Sequence, residues 1–216
     1  MRHTIINKIP TYRHFLGGHK TLEAGYPWLS IGSIVALEYT IFSTEARVGN
    51  AYHCTPPKQV LEFGSGGSTI FFAHRAEHVT SIETDANWAP RTAEALRWHG
   101  VQDKVSLHVC SNPESERFVA SFVDGFYDLL LVDHAADETV PGRGAKRAFS
   151  RKPLALIGAQ KLASNGWMVV DNYSVHGMHD YDWTGWSVWI FDDMQYSGRG
   201  TLIARRNKSH HALRAS

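Results

Sequence analysis

The run VLEFGSGGST, residues 60 to 69, constrains this chain more than any other stretch. A short apolar segment enters Gly64-Ser65-Gly66-Gly67, and a helical segment follows. Glycines let a chain turn sharply and bring its backbone close to a ligand. The helix start that follows offers unpaired N–H groups. No Gly-Lys-Ser/Thr follows, so this is not a phosphate loop of the nucleotide-hydrolase kind. Position 69 is Thr, so the spacing also departs from the dinucleotide Gly-x-Gly-x-x-Gly pattern. The next apolar segment, Val79 to Glu83, puts a carboxylate at its end, about 20 positions after Gly64. An acid at that offset can accept hydrogen bonds from both hydroxyls of a ribose. A plain strand–helix connection and a helix cap are the blander alternatives, and Asp85 suits the cap better than Glu83.

From Gln59 onward, strand and helix patterns alternate. Strands are expected at Val60–Phe63, Val79–Glu83, Val105–Cys110, Tyr127–Asp133, Trp167–Asp171, Ser187–Phe191 and Thr201–Arg205. Helices are expected at Ser30–Ala46, Ser68–Glu77, Asn87–His99 and Ala148–Ala163, the last stopped by Asn165-Gly166. Leu129 to Val132 and Trp167 to Val170 are apolar without alternation. That is the mark of strands covered on both faces, hence of a mainly parallel α/β sheet. Residues 1 to about 28 read as an irregular arm.

The run from Val60 to Trp88 resembles class I S-adenosylmethionine-dependent methyltransferases. Their first motif, Glu/Asp-x-Gly-x-Gly, is matched by Glu62, Gly64 and Gly66. The resemblance covers roughly residues 58 to 172. It implies a Rossmann-like, doubly wound, seven-stranded sheet with a final antiparallel strand. It also implies cofactor contacts at Glu62, Gly64, Ser65, Gly66, Gly67, Ser68 and Asp133, a ribose contact at Glu83, and a reaction site at Asp133 and His134. Residues 1–50 are then an arm and helix covering the acceptor, and residues 51–216 the S-adenosylmethionine-binding catalytic domain.

Asp133-His134 ends one strand and Asp171-Asn172 the next, where open α/β sheets bind ligands. This pairing is similar to the catechol O-methyltransferase type, in which two aspartates and an asparagine hold Mg²⁺. The matching residues are Asp133, Asp171 and Asn172, all hard oxygen donors. That type carries a lysine three residues after the first aspartate, where this chain has Ala136. Lys146 and His134 are candidate substitutes as base. A metal-free reading stands beside the metal reading, because methyl transfer from a sulfonium needs chiefly alignment.

Among 216 residues the formal charge is +1, which argues against extended nucleic-acid binding. No Asn/Asp-Pro-Pro-aromatic run of the base-methylating enzymes is present. The basic run Arg143, Lys146, Arg147, Arg151, Lys152 suits either an acidic acceptor or the solvated start of a helix, and the second reading is preferred. Trp183, Trp186 and Trp189 either wall an acceptor pocket or pack on the sheet. His210-His211 fall in a tail and are read as incidental. Two separated cysteines, Cys54 and Cys110, no long apolar run and no signal-like start point to the cytoplasm. The expected partner is a small-molecule acceptor, with its hydroxyl as methyl acceptor, no membrane, and a homodimer left open. Two rivals remain: a nicotinamide-dependent oxidoreductase and a non-catalytic nucleotide-binding module.

Overall fold

The structure, a computed structural model, describes residues 18–43, 56–134, 136–138, 148–174, 177–192 and 200–207. Seven strands form one sheet: β1 (Gln59–Phe63), β2 (His78–Glu83), β3 (Val105–Val109), β4 (Tyr127–Val132), β7 (Leu162–Asp171), β8 (Trp186–Phe191) and β9 (Thr201–Arg206). Their order is β3-β2-β1-β4-β7-β9-β8. The pairs from β3 to β7 are parallel, and β9 runs antiparallel between β7 and β8. This is the doubly wound sheet with a final antiparallel strand that the alternating pattern and the resemblance imply. A small antiparallel pair, β5 (Ala136–Glu138) and β6 (Ala148–Ser150), stands apart from it.

The apolar runs explain the layering. Successive residues of β4 point to opposite faces, so Leu129 and Leu131 enter one core while Leu130 and Val132 enter the other. The first core is covered by α1 (Gly18–Ala24), α2 (Ile31–Ala36), α3 (Gly67–Ala73) and α4 (Ala89–Trp98), through Leu22, Ile34, Phe71 and Leu96 among others. The second lies under α5 (Asn112–Ala120) and α6 (Lys152–Lys161), through Val119, Leu154 and Ala159. Fully burying one such side chain stabilises by about 1.5–3 kcal/mol. Among the described residues no helix is long and apolar enough to cross a membrane.

Several expected boundaries move. The Ser30–Ala46 helix is instead α2 followed by a π-helical turn, Leu37–Ile41, closed by the Phe42 N–H on the Leu37 carbonyl at 2.9 Å. Residues 44–46 lie outside the described residues. Part of the expected irregular arm is helix α1. The third helix ends at Ala73, and the fourth begins at Ala89 after a turn whose N–H groups at Asn87 and Trp88 donate to Asp85 Oδ1. Ala148–Ser150 is strand rather than helix, because Pro153 near the start of α6 sets the helix entry later. Asn165-Gly166 does not stop α6, which already ends at an extended Leu162 (ψ 137°). Tyr127 pairs with Leu162 and Leu129 with Trp167, so residues 163–166 bulge within β7. Trp183 and Trp186 pack on the second core beside Tyr181. Trp189 lies 5.8 Å from Trp167, centroid to centroid, and stays 45% exposed.

Candidate active site at the carboxyl edge of the sheet

Register brings the site together. Phe63 pairs with both Ile82 and Val132, and Val132 pairs with Val170. The residues that follow, at Gly64, Glu83, Asp133 and Asp171, therefore emerge side by side on adjacent strands, which are about 4.8 Å apart.

The glycine turn is held from several sides. Gly64 has φ +92°, a conformation that side chains disfavour. A Cβ there would stand 3.2 Å from the His134 Cβ and 3.3 Å from its backbone nitrogen. This close approach follows from the Asp133 and His134 N–H groups, which both donate to the Phe63 carbonyl at 3.0 Å. The Trp88 indole N–H donates to the Ser65 carbonyl at 2.8 Å, and the Gly66 N–H donates to the Thr69 hydroxyl at 2.8 Å.

Glu62 and Glu83 divide two roles between them. Glu62 is completely buried beneath the turn. It accepts hydrogen bonds from the hydroxyls of Ser68 (2.5 Å), Thr69 (2.6 Å) and Ser81 (2.7 Å). Burial raises its pKa to about 7 against the pull of those three donors. The structure thus places Glu62 and Ser68 as a latch under the loop, with the carboxylate on none of its exposed surface. Glu83, 5% exposed, accepts the Ser65 N–H (2.9 Å) and hydroxyl (2.7 Å) on Oε2. Its Oε1 accepts the Thr84 and Asp85 N–H groups, both at 2.8 Å.

On the neighbouring strands, the His134 Nε2 stands 2.5 Å from Asn112 Oδ1 and 3.2 Å from the Thr84 hydroxyl. These contacts turn its ring toward the ends of β2 and β3. Asp133 and Asp171 meet at the ends of β4 and β7, where their carboxyl groups hydrogen-bond each other and the Arg151 guanidinium stands against both. Arg151 Nη2 lies 3.1 Å from Asp133 Oδ1 and donates to its carbonyl at 2.6 Å. Nη1 lies 3.7 Å from Asp171 Oδ2 and donates to the Asp171 carbonyl. Asp171 Oδ1 accepts the Thr201 hydroxyl at 3.0 Å, and Oδ2 accepts the Asn172 amide. Asn172 itself takes φ +48°, which Asn tolerates better than most residues. Burial raises both carboxyls above the ordinary range, Asp133 further, because Asp171 adds to the effect; Arg151 pulls both back. The Asp133 side chain keeps 30% exposure.

The reading of Arg151 as part of a solvated helix start is corrected: the residue is 5% exposed and ion-paired. Its burial depends on carboxylates brought from two other strand ends, which sequence spacing does not show. Asn112, Thr84 and Thr201 are further site residues without a sequence expectation. Asn112 had a local signal, since Ser111 and Glu114 form a capping box that opens α5. Arg143, Lys146, Arg147, Cys54 and His210-His211 lie outside the described residues.

The residues fit S-adenosylmethionine at the glycine turn: a backbone cradle that a Cβ would crowd, beside an acid on the neighbouring strand. They do not fit an added divalent cation at Asp133, Asp171 and Asn172. A guanidinium already stands against both carboxylates, and the Asp171 oxygens are taken by Thr201 and Asn172.

The fold is that of class I S-adenosylmethionine-dependent methyltransferases. A protein from Klebsiella pneumoniae described as an O-methyltransferase superposes over 95% of both chains, with TM-score 0.59 and 18% identity. An O-methyltransferase from Bacillus cereus, in complex with SAH, matches 70% of this chain and 74% of its own, with TM-score 0.54 and 17% identity. A protein from Staphylococcus aureus described as a caffeoyl-CoA O-methyltransferase matches 70% and 77%, with TM-score 0.50 and 19% identity. No protein-family model and no curated protein matches the sequence.

Proposed function

We propose that the chain is an S-adenosylmethionine-dependent methyltransferase acting on a hydroxyl of a small molecule. The observation that carries this reading is the Gly64–Gly67 turn clasped by Glu83, set beside the buried carboxyl pair Asp133 and Asp171. The O-methyltransferase neighbours, one in complex with SAH, support it.

The sulfonium cofactor, when bound, supplies an activated methyl group that needs an aligned acceptor more than covalent help. Glu83 holds the ribose hydroxyls in exchange for the Ser65 hydroxyl. The hydrogen-bonded Asp133–Asp171 pair accepts the proton of the acceptor hydroxyl. Burial makes the pair more basic than an ordinary carboxylate, and the partial exposure of Asp133 leaves it reachable. His134, drawn toward Thr84 and Asn112, orients the cofactor side of the site rather than serving as the base. Residues 18–43 are anchored beside Asp171, where the Ser30 N–H donates to the Thr201 hydroxyl at 3.0 Å, which suits a cover over the acceptor side.

The test is methyl transfer from labelled S-adenosylmethionine across a panel of phenols, catechols and hydroxy acids. Labelled ether products, reduced about 100-fold or more in kcat by Asp133→Asn, support the reading. Label incorporated only into amines or carboxylates would overturn the acceptor class.

A further inference from the structure

We propose that Arg151 is the resident cation of this site, standing where related chemistry employs a divalent metal ion, so that the chain works without one. The proposal rests on the methyltransferase reading but concerns what neutralises the two strand-end carboxylates.

Three observations carry it. First, the guanidinium stands against both carboxyl groups of the hydrogen-bonded pair, the position a charge-neutralising cation would take. Nη2 faces Asp133 Oδ1 at 3.1 Å, and Nη1 faces Asp171 Oδ2 at 3.7 Å. A metal ion binds carboxylate oxygens at roughly 2.0–2.6 Å, and could do so here only after Arg151 was expelled. Second, the arginine is locked in place by the backbone. Its Nη atoms donate to the carbonyls of Asp133 (2.6 Å), the residue just after β4, and of Asp171, the last residue of β7. Third, the placement is not one that hydrogen bonding alone would select. Among the described residues, Arg151 Nε is a buried polar atom with no partner, although guanidinium donors are normally all satisfied in a buried setting.

The chemistry differs from that of a metal site in a definite way. An arginine keeps a single positive charge at all working pH values and has no open coordination position. It cannot bind an acceptor hydroxyl by coordination. It fixes Asp133 through the Nη2 contact, neutralises the charge of the hydrogen-bonded carboxyl pair, and leaves that pair as the proton acceptor. Arg151 is thus a positioning residue. A fixed cation also predicts that one acceptor hydroxyl suffices, since no chelating pair is needed.

The experiment is a titration of the chelator-stripped protein with Mn²⁺, followed by the paramagnetic signal of the free ion, for wild type, Arg151→Ala, and Asp133→Asn. The expected result is no saturable binding by wild type up to about 1 mM, the weak end of protein sites for hard cations. Arg151→Ala, with both acids unmasked, is expected to gain binding at least tenfold tighter. Saturable Mn²⁺ binding by wild type that Asp133→Asn abolishes would overturn the proposal. So would a folded Arg151→Ala that gains no binding. If Arg151→Ala does not fold, the wild-type titration decides alone. Binding of S-adenosylhomocysteine, measured on the same wild-type sample, tests the methyltransferase reading separately, because it does not involve the two aspartates' charge partner.

Discussion

Ser65 and Glu83 are joined twice, through the Ser65 N–H at 2.9 Å and its hydroxyl at 2.7 Å, both on Glu83 Oε2. With the Thr84 and Asp85 N–H groups on Oε1, the chain's own donors fill the carboxylate. Of these four donors only the serine hydroxyl can rotate away. Ser65→Ala is therefore expected to leave affinity for S-adenosylhomocysteine unchanged or a few-fold tighter. It should also cost stability of about 1 kcal/mol, or about 2–4 °C in Tm. Calorimetric and thermal titrations read the two effects; a tenfold loss of affinity would show that the hydroxyl contacts the ligand instead.

Glu62 gives the stability a pH signature. Its carboxyl titrates near 7 in the folded chain, against an ordinary value of 4.5. The native state then holds more protons than the unfolded state between those values, so its contribution is fully present below pH 4.5. It is lost as pH rises through about 7, by on the order of 3 kcal/mol. Glu62→Gln is expected to flatten the fall in Tm between pH 5 and 8 relative to wild type. Parallel curves for the two proteins would contradict the assignment.

Gly67 opens α3 against the end of α1. A Cβ there would collide with the carbonyl oxygens of Tyr26 and Thr21, both backbone atoms with little freedom to yield. Gly67→Ala is expected to destabilise the chain by roughly 1–3 kcal/mol or more through overpacking. Hydrogen exchange should rise first in residues 18–26, which lose their seat. A neutral substitution would mean that α1 is not seated on the glycine turn in solution.

Thr201 connects two parts of the site: it donates to Asp171 and accepts from the Ser30 N–H, each at 3.0 Å. Thr201→Val keeps the shape and removes both bonds, leaving a buried backbone donor unpaired. A loss of about 1–3 kcal/mol is expected, together with a rise in KM for the acceptor larger than the fall in kcat. A change confined to kcat would place Thr201 in the chemical step rather than in holding residues 18–43 against the sheet.

How far the sequence carried this account depends on how local each cause is. The central strands were legible to within a residue or two, because runs such as Leu129 to Val132, apolar on both faces, admit little else. The Gly64–Gly67 turn and Glu83 were legible because the spacing of a strand, a turn and a strand is set along the chain. Helix α5 was marked by Ser111, Pro113 and Glu114, yet its short amphipathic face gave a weak period. The break of Ala148–Ala163 into β6 and α6 was hidden by residues that suit either state. Arg151 was the hardest: a basic residue in a basic run reads as solvated until the fold brings Asp133 and Asp171 against it.

Calorimetric titration of the purified chain with S-adenosylhomocysteine, repeated on Glu83→Ala and on wild type with NADH, decides whether the glycine turn is a cofactor site. Wild type is expected to bind at micromolar concentration and not to bind NADH, and Glu83→Ala, with the ribose acceptor removed, to lose tenfold or more in affinity. Folded, ligand-free protein that binds NADH, or that binds neither ligand at millimolar concentration, would contradict the methyltransferase reading.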